Sequence, residues 1–391
     1  MPIWYCRLFP VESVVREAFG EFLVFRDECF VCGGVAECFV EGCGERSAGE
    51  HFSHEVLADV GEVVFNYAVD VLPDVAGFYA AKTHRVIAAD ACPLHPPVFA
   101  EIVREICAFA KENGISAYDE ATGKGLLRHI YLRMGASSGE ILVCPVINGQ
   151  TLPHAKELTE ILCRRFPAVC GIVLNHNTKN TNVVLGDTFT PVWGKPYLTD
   201  VLCGLTLAIS PAAFYQVNHD AAELLYGIAA EKADLHGDET LLDLYCGIGS
   251  IGLSMAHRVK SVFGIEIVPE AVTCAGENAA RNGIDNARFV CGDASDAEKF
   301  LAAAAVGGAP VNPGVVVLDP PRKGTTPELI NAIAKRQIPK VVYISCNHVT
   351  LARDCALFRE HGYAVGPVTP VDLFPRTGHV ETVVLLSKRN V

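Results

Sequence analysis

The chain has 391 residues, 50% of them hydrophobic and 20% charged, which supplies buried cores and suggests two or three domains of a globular protein. Its formal charge of −13 argues against broad, sequence-independent binding to nucleic acid, because a phosphate backbone rewards basic surfaces. No run approaches the roughly 18 apolar residues of a spanning helix, and Glu12, Arg16 and Glu17 stand where a signal peptide would be apolar, so a cytoplasmic protein with no membrane partner is expected.

Residues 1–76 are an atypical, cysteine-containing segment without a steady hydrophobic period. Cys29, Cys32, Cys38 and Cys43 lie close together there. In a reducing compartment they read as scattered thiols, and four thiolates in a cluster also suit iron–sulfur or zinc. Residues 77–204 read as a smaller α+β domain, with apolar runs at 139–147 and 170–177 and helices at 97–113 and 152–166. Lys124, Arg128 and Arg133 are candidates for a local basic groove, as are Arg322, Lys323, Lys335, Arg336 and Lys340 further on.

From 205 to 391 the pattern becomes α/β. TLLDLYC (240–246), SVFGIEI (261–267), ARFVCGD (287–293), GVVVLDPP (314–321) and KVVYISC (340–346) are short β-branched runs ending in turns. Lacking polar alternation, they read as strands buried on both faces of a parallel sheet. Helices expected at 250–258, 269–281, 327–336 and 349–361 supply the crossovers of a doubly wound, Rossmann-like sheet, which β-rich pieces at 364–372 and 381–387 complete. AAAAVGGAP at 302–310 reads as a surface loop.

DLYCGIGSIGL (243–253) ends the first of these strands in a glycine turn that lets a ligand approach the backbone. Glu266, ending the second, can accept hydrogen bonds from both hydroxyls of a ribose. A dinucleotide and S-adenosylmethionine both fit. Asp243, Asp293 after the third strand and Asp-Pro-Pro after the fourth tilt the reading to the methyl donor. Asp293 either faces the adenine edge or caps a helix.

In Asp319-Pro320-Pro321-Arg322 the prolines fix the backbone beyond a buried strand and hold a carboxylate at the sheet's ligand-binding edge. Arg322 stands where enzymes that methylate exocyclic amines usually carry an aromatic residue, which disfavours a stacked amino substrate. Cys346, at the tip of the next strand, offers different chemistry. A thiolate added to carbon 6 of a pyrimidine makes carbon 5 nucleophilic enough to take a methyl group. Arg322 is a plausible source of the positive field a thiolate needs. Carbon 5 must afterwards lose its proton to a base, for which Glu381 in GHVETVVLL (378–386) is preferred over His379.

These segments, with FYQVN (214–218), SCNHVTLARD (345–354) and DLFPRTGHVE (372–381), resemble in sequence and order the RNA 5-methyluridine methyltransferases, most of all the bacterial enzymes acting on 23S ribosomal RNA. The resemblance covers the chain from about Gly77 onward. It implies Cys346 as nucleophile, Glu381 as base, and Gln216, Tyr245, Glu266 and Asp319 as contacts of S-adenosylmethionine. The partner it implies is RNA, ribosomal before transfer RNA, and a monomeric enzyme is expected. His348 departs from the proline common in the family. Many relatives also hold a four-iron, four-sulfur cluster. Cys92 matches the last cysteine of that motif, but the earlier cysteines break its spacing, so Cys92 is a ligand only if an intact motif exists.

Overall fold

The structure is a computed structural model that describes strands at 63–68, 75–79 and 86–88 and then residues 95–389, apart from 121, 297–298, 300–311 and 376. Cys29, Cys32, Cys38, Cys43, Cys92 and the 302–310 loop lie outside the described residues, and with them the iron–sulfur expectation. Among the described residues no group of three or more His, Cys, Asp or Glu is placed to hold a metal. Nor is any helix there long and apolar enough to cross a membrane. The described residues form two compact units, one running to Leu202 and including Thr206–Val217, the other taking Cys203–Leu205 and the chain from Asn218.

The first unit is built on a seven-stranded sheet. Its strands are β1 (Val63–Ala68), β2 (Val75–Tyr79), β3 (Val86–Ala88), β4 (Leu127–Met134), β5 (Ile141–Ile147), β6 (Val169–His176) and β7 (Thr188–Gly194), in the order β3-β2-β1-β4-β5-β6-β7. All neighbours are antiparallel except β5 and β6, whose crossover is helix α2 (Ala155–Arg165). Helix α1 (Pro97–Glu112) starts at a proline, which fits the first turn because its missing N–H would have no partner there. Ile102, Ile106 and Phe109 of α1 join Leu162 of α2 over Ile130, Leu132 and Val143 of the sheet. β1 pairs with β4, so this sheet takes in chain from the 1–76 segment.

Arg128 and Arg133 do not face a basic groove. Only 2% and 6% exposed, they point into the unit as structural donors. Arg128 Nη1 donates to the carbonyls of Asn177 and Lys179, both at 2.8 Å, with its guanidinium 4.2 Å from the Tyr118 ring centre. Arg133 donates to the carbonyls of Ser210 and Ala213, and Tyr131 Oη to that of Pro211. Charge-assisted bonds of this kind make burial of an arginine tolerable. Asp200, 1% exposed, accepts from three successive backbone amides, Ala136, Ser137 and Ser138, at 2.9–3.1 Å, and from Tyr215 Oη at 3.0 Å. The 210–217 stretch carrying Gln216 is thus held from three sides.

Strands β8 (Leu198–Leu202) and β9 (Leu205–Ile209) pair as a separate two-stranded sheet. The second unit is the doubly wound sheet. Strands β10 (Thr240–Leu244), β11 (Ser261–Glu266), β12 (Ala287–Cys291), β13 (Val315–Leu318) and β14 (Lys340–Ser345) run parallel. β15 (Tyr363–Val371) and β16 (Glu381–Lys388) close one side antiparallel, giving the order β12-β11-β10-β13-β14-β16-β15. The order reverses between β10 and β13, where open α/β sheets bind ligands beyond the strand ends. The intervening helices are α4 (Ser250–Met255), α5 (Pro269–Arg281), α6 (Pro327–Lys335) and α7 (His348–Glu360), close to the expected ranges. A further helix, α3 (His219–Ala233), had no expectation. Val341, Tyr343, Val384 and Leu386 meet Leu329 and Ile333 of α6 and Leu351 and Phe358 of α7, while Val342, Ile344 and Val383 are equally buried on the alternate face. That two-sided burial is why these strands show no polar alternation.

Asp200→Ala should strip three amides and a buried hydroxyl of their acceptor at once. A loss of about 2–4 kcal/mol is expected in the denaturant-induced unfolding of the first unit.

Candidate active site

The switch point is furnished by main-chain geometry. After β10, Tyr245 takes a φ of 63°, a left-handed conformation that costs a non-glycine residue about 1–3 kcal/mol unless its surroundings enforce it. Here the amides of Tyr245 and Cys246 both donate to Ile265 O of β11, and Tyr245 Oη lies 3.2 Å from Thr325 Oγ1. The chain then turns into α4. A Cβ on Gly252 would stand 2.7 Å from Asp243 Oδ2, the atom that accepts the Gly252 amide at 2.9 Å. Beside Gly247, by contrast, a Cβ would meet nothing within 4 Å. The turn is packed below and open at its tip.

Glu266 ends β11 with one oxygen accepting from Gly247 N at 3.1 Å and the other from Val268 N at 2.9 Å. Each oxygen keeps a lone pair, so the carboxylate is oriented without being used up. Asp293 accepts from Ser295 N at 2.8 Å, the capping arrangement, and that bond holds its carboxyl below the usual range. Gln216, in the first unit, is buried two residues before the Asn218 cap of α3, with Phe214 and Val217 beside it exposed.

The chemistry-bearing side chains gather where β13, β14 and β16 end or begin. In the ladder Leu318 pairs with Tyr343 and Ser345 with Thr382, so Asp319, Cys346 and Glu381 come next on three adjacent strands. Thr382 Oγ1 donates to Ser345 O at 3.0 Å, locking the pair beside Cys346. Arg322 Nη2 lies against the His379 ring, 3.2 Å from one ring nitrogen and 3.3 Å from the other.

These groups shift one another strongly. Burial pushes Glu381, 5% exposed, up to about 8, helped by Asp319 and opposed by Arg322. Asp319 is half-buried by exposed surface yet closely surrounded, and this pushes it up to about 7. Asp243, fully buried and with no hydrogen-bond partner for Oδ1 among the described residues, also rises to about 7, through burial first and then Asp319 and Glu266. Burial and the charges of Glu381 and Asp319 push the Cys346 thiol up to about 11, and Arg322 only partly offsets them. The expected activation by Arg322 has the right sign and is outweighed in the free protein. Carboxylates raised into the neutral range suit proton transfer, and an electronegative pocket suits a cationic ligand.

Other residues that shape the site have no place in the sequence analysis. Thr325, Tyr343, Arg353 and Asp354 tie the Asp-Pro-Pro-Arg turn to α7. The signal was present as a polar stripe, Asn347, Thr350, Arg353 and Asp354, recurring at one-turn spacing along a helix otherwise packed on the core.

A Rossmann-like sheet with this order, a glycine turn and an acidic second strand end defines an S-adenosylmethionine-dependent methyltransferase. Residues 206–389 match the family described as tRNA (Uracil-5-)-methyltransferase. An uncharacterized RNA methyltransferase of Halalkalibacterium halodurans is 42% identical over 316 residues, spanning 81% of this chain and 68% of the relative. Another, of Clostridium acetobutylicum, is 39% identical over 80% of this chain and 67% of its own length. The solved Pyrococcus abyssi tRNA (uracil-54, C5)-methyltransferase, in complex with S-adenosyl-L-homocysteine, superposes with a TM-score of 0.69 at 27% identity, covering 83% of this chain and 75% of that one. The chain belongs to the RNA uracil-5 methyltransferase family and is an S-adenosylmethionine-dependent enzyme.

The raised carboxyls have a consequence for folding. Their folded values, about 7 to 8, lie above the unfolded values near 4, so the native state binds more protons and its advantage is lost as pH rises through 7 to 8. The melting temperature of the second unit is expected to fall from about pH 5 to pH 9. Glu381→Gln should remove its share of that fall, which accumulates as pH rises from the unfolded value near 4 to the folded value of about 8.

Proposed function

We propose that the enzyme methylates carbon 5 of a uridine in RNA, most specifically 23S ribosomal RNA, with Cys346 as nucleophile and Glu381 as base. The observation that carries the reading is the adjacency of these two at the paired ends of β14 and β16, which suits a nucleophile and a base serving neighbouring carbons of one ring. The target base must leave its stack to reach a thiol at a strand tip. The ionised sulfur bonds to carbon 6, and the electron pair of the 5,6 double bond moves to carbon 5 and the 4-oxygen. Carbon 5 takes the methyl group as the methyl–sulfur bond of the donor breaks, its electron pair staying on the donor sulfur, and S-adenosylhomocysteine is left. Glu381 then removes the carbon-5 proton, the double bond re-forms, and the carbon–sulfur bond breaks to return the thiolate. A base near 8 matches that task at neutral pH.

When bound, S-adenosylmethionine supplies the electrophilic methyl group and a positive charge. Glu266 and Asp319 are the carboxylates proposed to hold it, with Tyr245 at the turn and Asp293 as a contact at the adenine edge, and Gln216 is proposed as a contact on the resemblance of FYQVN alone. The open ground beside Gly247 and the unpartnered Asp243 oxygen support a polar, cationic occupant there. All these residues lie in one chain, and the proposed active species is the monomer. The ribosomal substrate rests on the resemblance of the sequence motifs. Transfer RNA is the second reading, favoured by the name of the Pyrococcus abyssi neighbour.

Cys346→Ala is expected to lose both methylation and the covalent adduct with 5-fluorouridine RNA. Glu381→Gln should lower turnover by about 10²–10⁴-fold while the adduct accumulates, since addition precedes the step it serves. An active Cys346→Ala enzyme would sink the mechanism. Mapping 5-methyluridine in cells with and without the gene should show loss at a ribosomal site, and loss at a transfer RNA site alone would move the substrate there.

A further inference from the structure

The turn after β13 is clasped by one face of α7 through its main chain alone. Asn347 Nδ2 donates to Arg322 O at 3.2 Å, and the Thr350 hydroxyl shares its proton between Arg322 O and Asn347 O, both at 3.1 Å. One turn on, Arg353 Nη2 donates to Lys323 O and Thr325 O at 3.0 and 3.1 Å. Asp354 Oδ2 accepts from Thr325 N at 2.9 Å and from Tyr343 Oη at 2.6 Å, while its other oxygen takes Arg353 Nε at 2.8 Å.

Asp354 has no exposed surface. A buried carboxylate carries a desolvation penalty that an apolar residue of similar size would avoid, so its presence is better explained by the geometry it imposes than by stability. A second observation agrees. Gly324 takes a φ of +74°, and a Cβ on it would stand 2.6 Å from Asp354 Oδ2 and 2.7 Å from Arg353 Nη2. The turn lies against the carboxylate only because residue 324 has no side chain.

We propose that Asp354, with Thr350, Arg353 and Tyr343, is a positioning residue: α7 sets the separation between the turn that carries Arg322 and Cys346, which immediately precedes the same helix. The proposal rests on Cys346 being the nucleophile. Arg322 is the positive charge acting on both Cys346 and Glu381, against Asp319 and their mutual repulsion, with His379 on its other side. A turn that drifts from α7 carries that charge away from the thiol, which then ionises at higher pH.

The full chain carries the test, with adduct formation on 5-fluorouridine RNA in the presence of S-adenosylmethionine followed against pH. Tyr343→Phe and Asp354→Asn should slow the adduct, by up to about 10²-fold, and move the rising limb of its pH–rate profile, set by thiol ionisation, to higher pH. Thr350→Val should do the same to a smaller extent, and Thr350→Ser, which keeps the hydroxyl, should recover most of the rate. Asp354→Asn is the substitution most exposed to misfolding, and the two Thr350 variants and Tyr343→Phe decide the matter without it. Variants that melt lower yet keep the wild-type rate and pH profile would reduce the clasp to a stability element and overturn the proposal. No adduct with the wild-type chain is a different result, since it removes Cys346 as nucleophile and this inference with it.

Discussion

Main-chain hydrogen bonds hold β10, β13, β14 and β16 in a register that leaves Leu244, Leu318 and Tyr343 level and sets Ser345 against Thr382. A slip of one residue would turn every following side chain to the other face of the sheet. Asp319, Cys346 and Glu381 are therefore positioned by the ladder before any side-chain interaction acts. The apolar residues beneath, Val316, Val341 and Val384 on one face and Val317, Val342 and Val383 on the other, bury the sheet on both faces and make that register costly to change.

Gathering acids at a dry strand edge has an electrostatic price, visible in the upward shifts of Asp243, Asp319 and Glu381. The free protein lowers it by holding protons, and Arg322 contributes the one opposing charge that reaches both the thiol and the base. The same surroundings hold the proton on the Cys346 thiol in the free protein, and a positive charge arriving beside it would favour the ionised form.

The second unit was largely legible because local signals agreed there. Uninterrupted β-branched runs, turn residues and capping helices all pointed to one parallel sheet, and the motifs fell on its strand ends. Helix α3 was not anticipated, its apolar positions making little contrast with their neighbours. Arg128 and Arg133 misled for a clear reason. A basic side chain reads as surface in a sequence, and what permits its burial here is a set of carbonyls 49 to 80 residues away. The clasp of α7 on the turn was legible on one side alone: its polar stripe stands in the sequence, while the backbone atoms that the stripe holds are announced by no residue type.

Cys346 ends a strand whereas Glu381 begins one, because β16 runs opposite to β14. The hairpin partner β15 approaches from the far side, and residues 372–380 between them form the connection at the site's edge. Because β16 is paired on one side with β14 and on the other with β15, the spacing of Cys346 and Glu381 is set by two ladders at once, and the connection between β15 and β16 carries none of that burden.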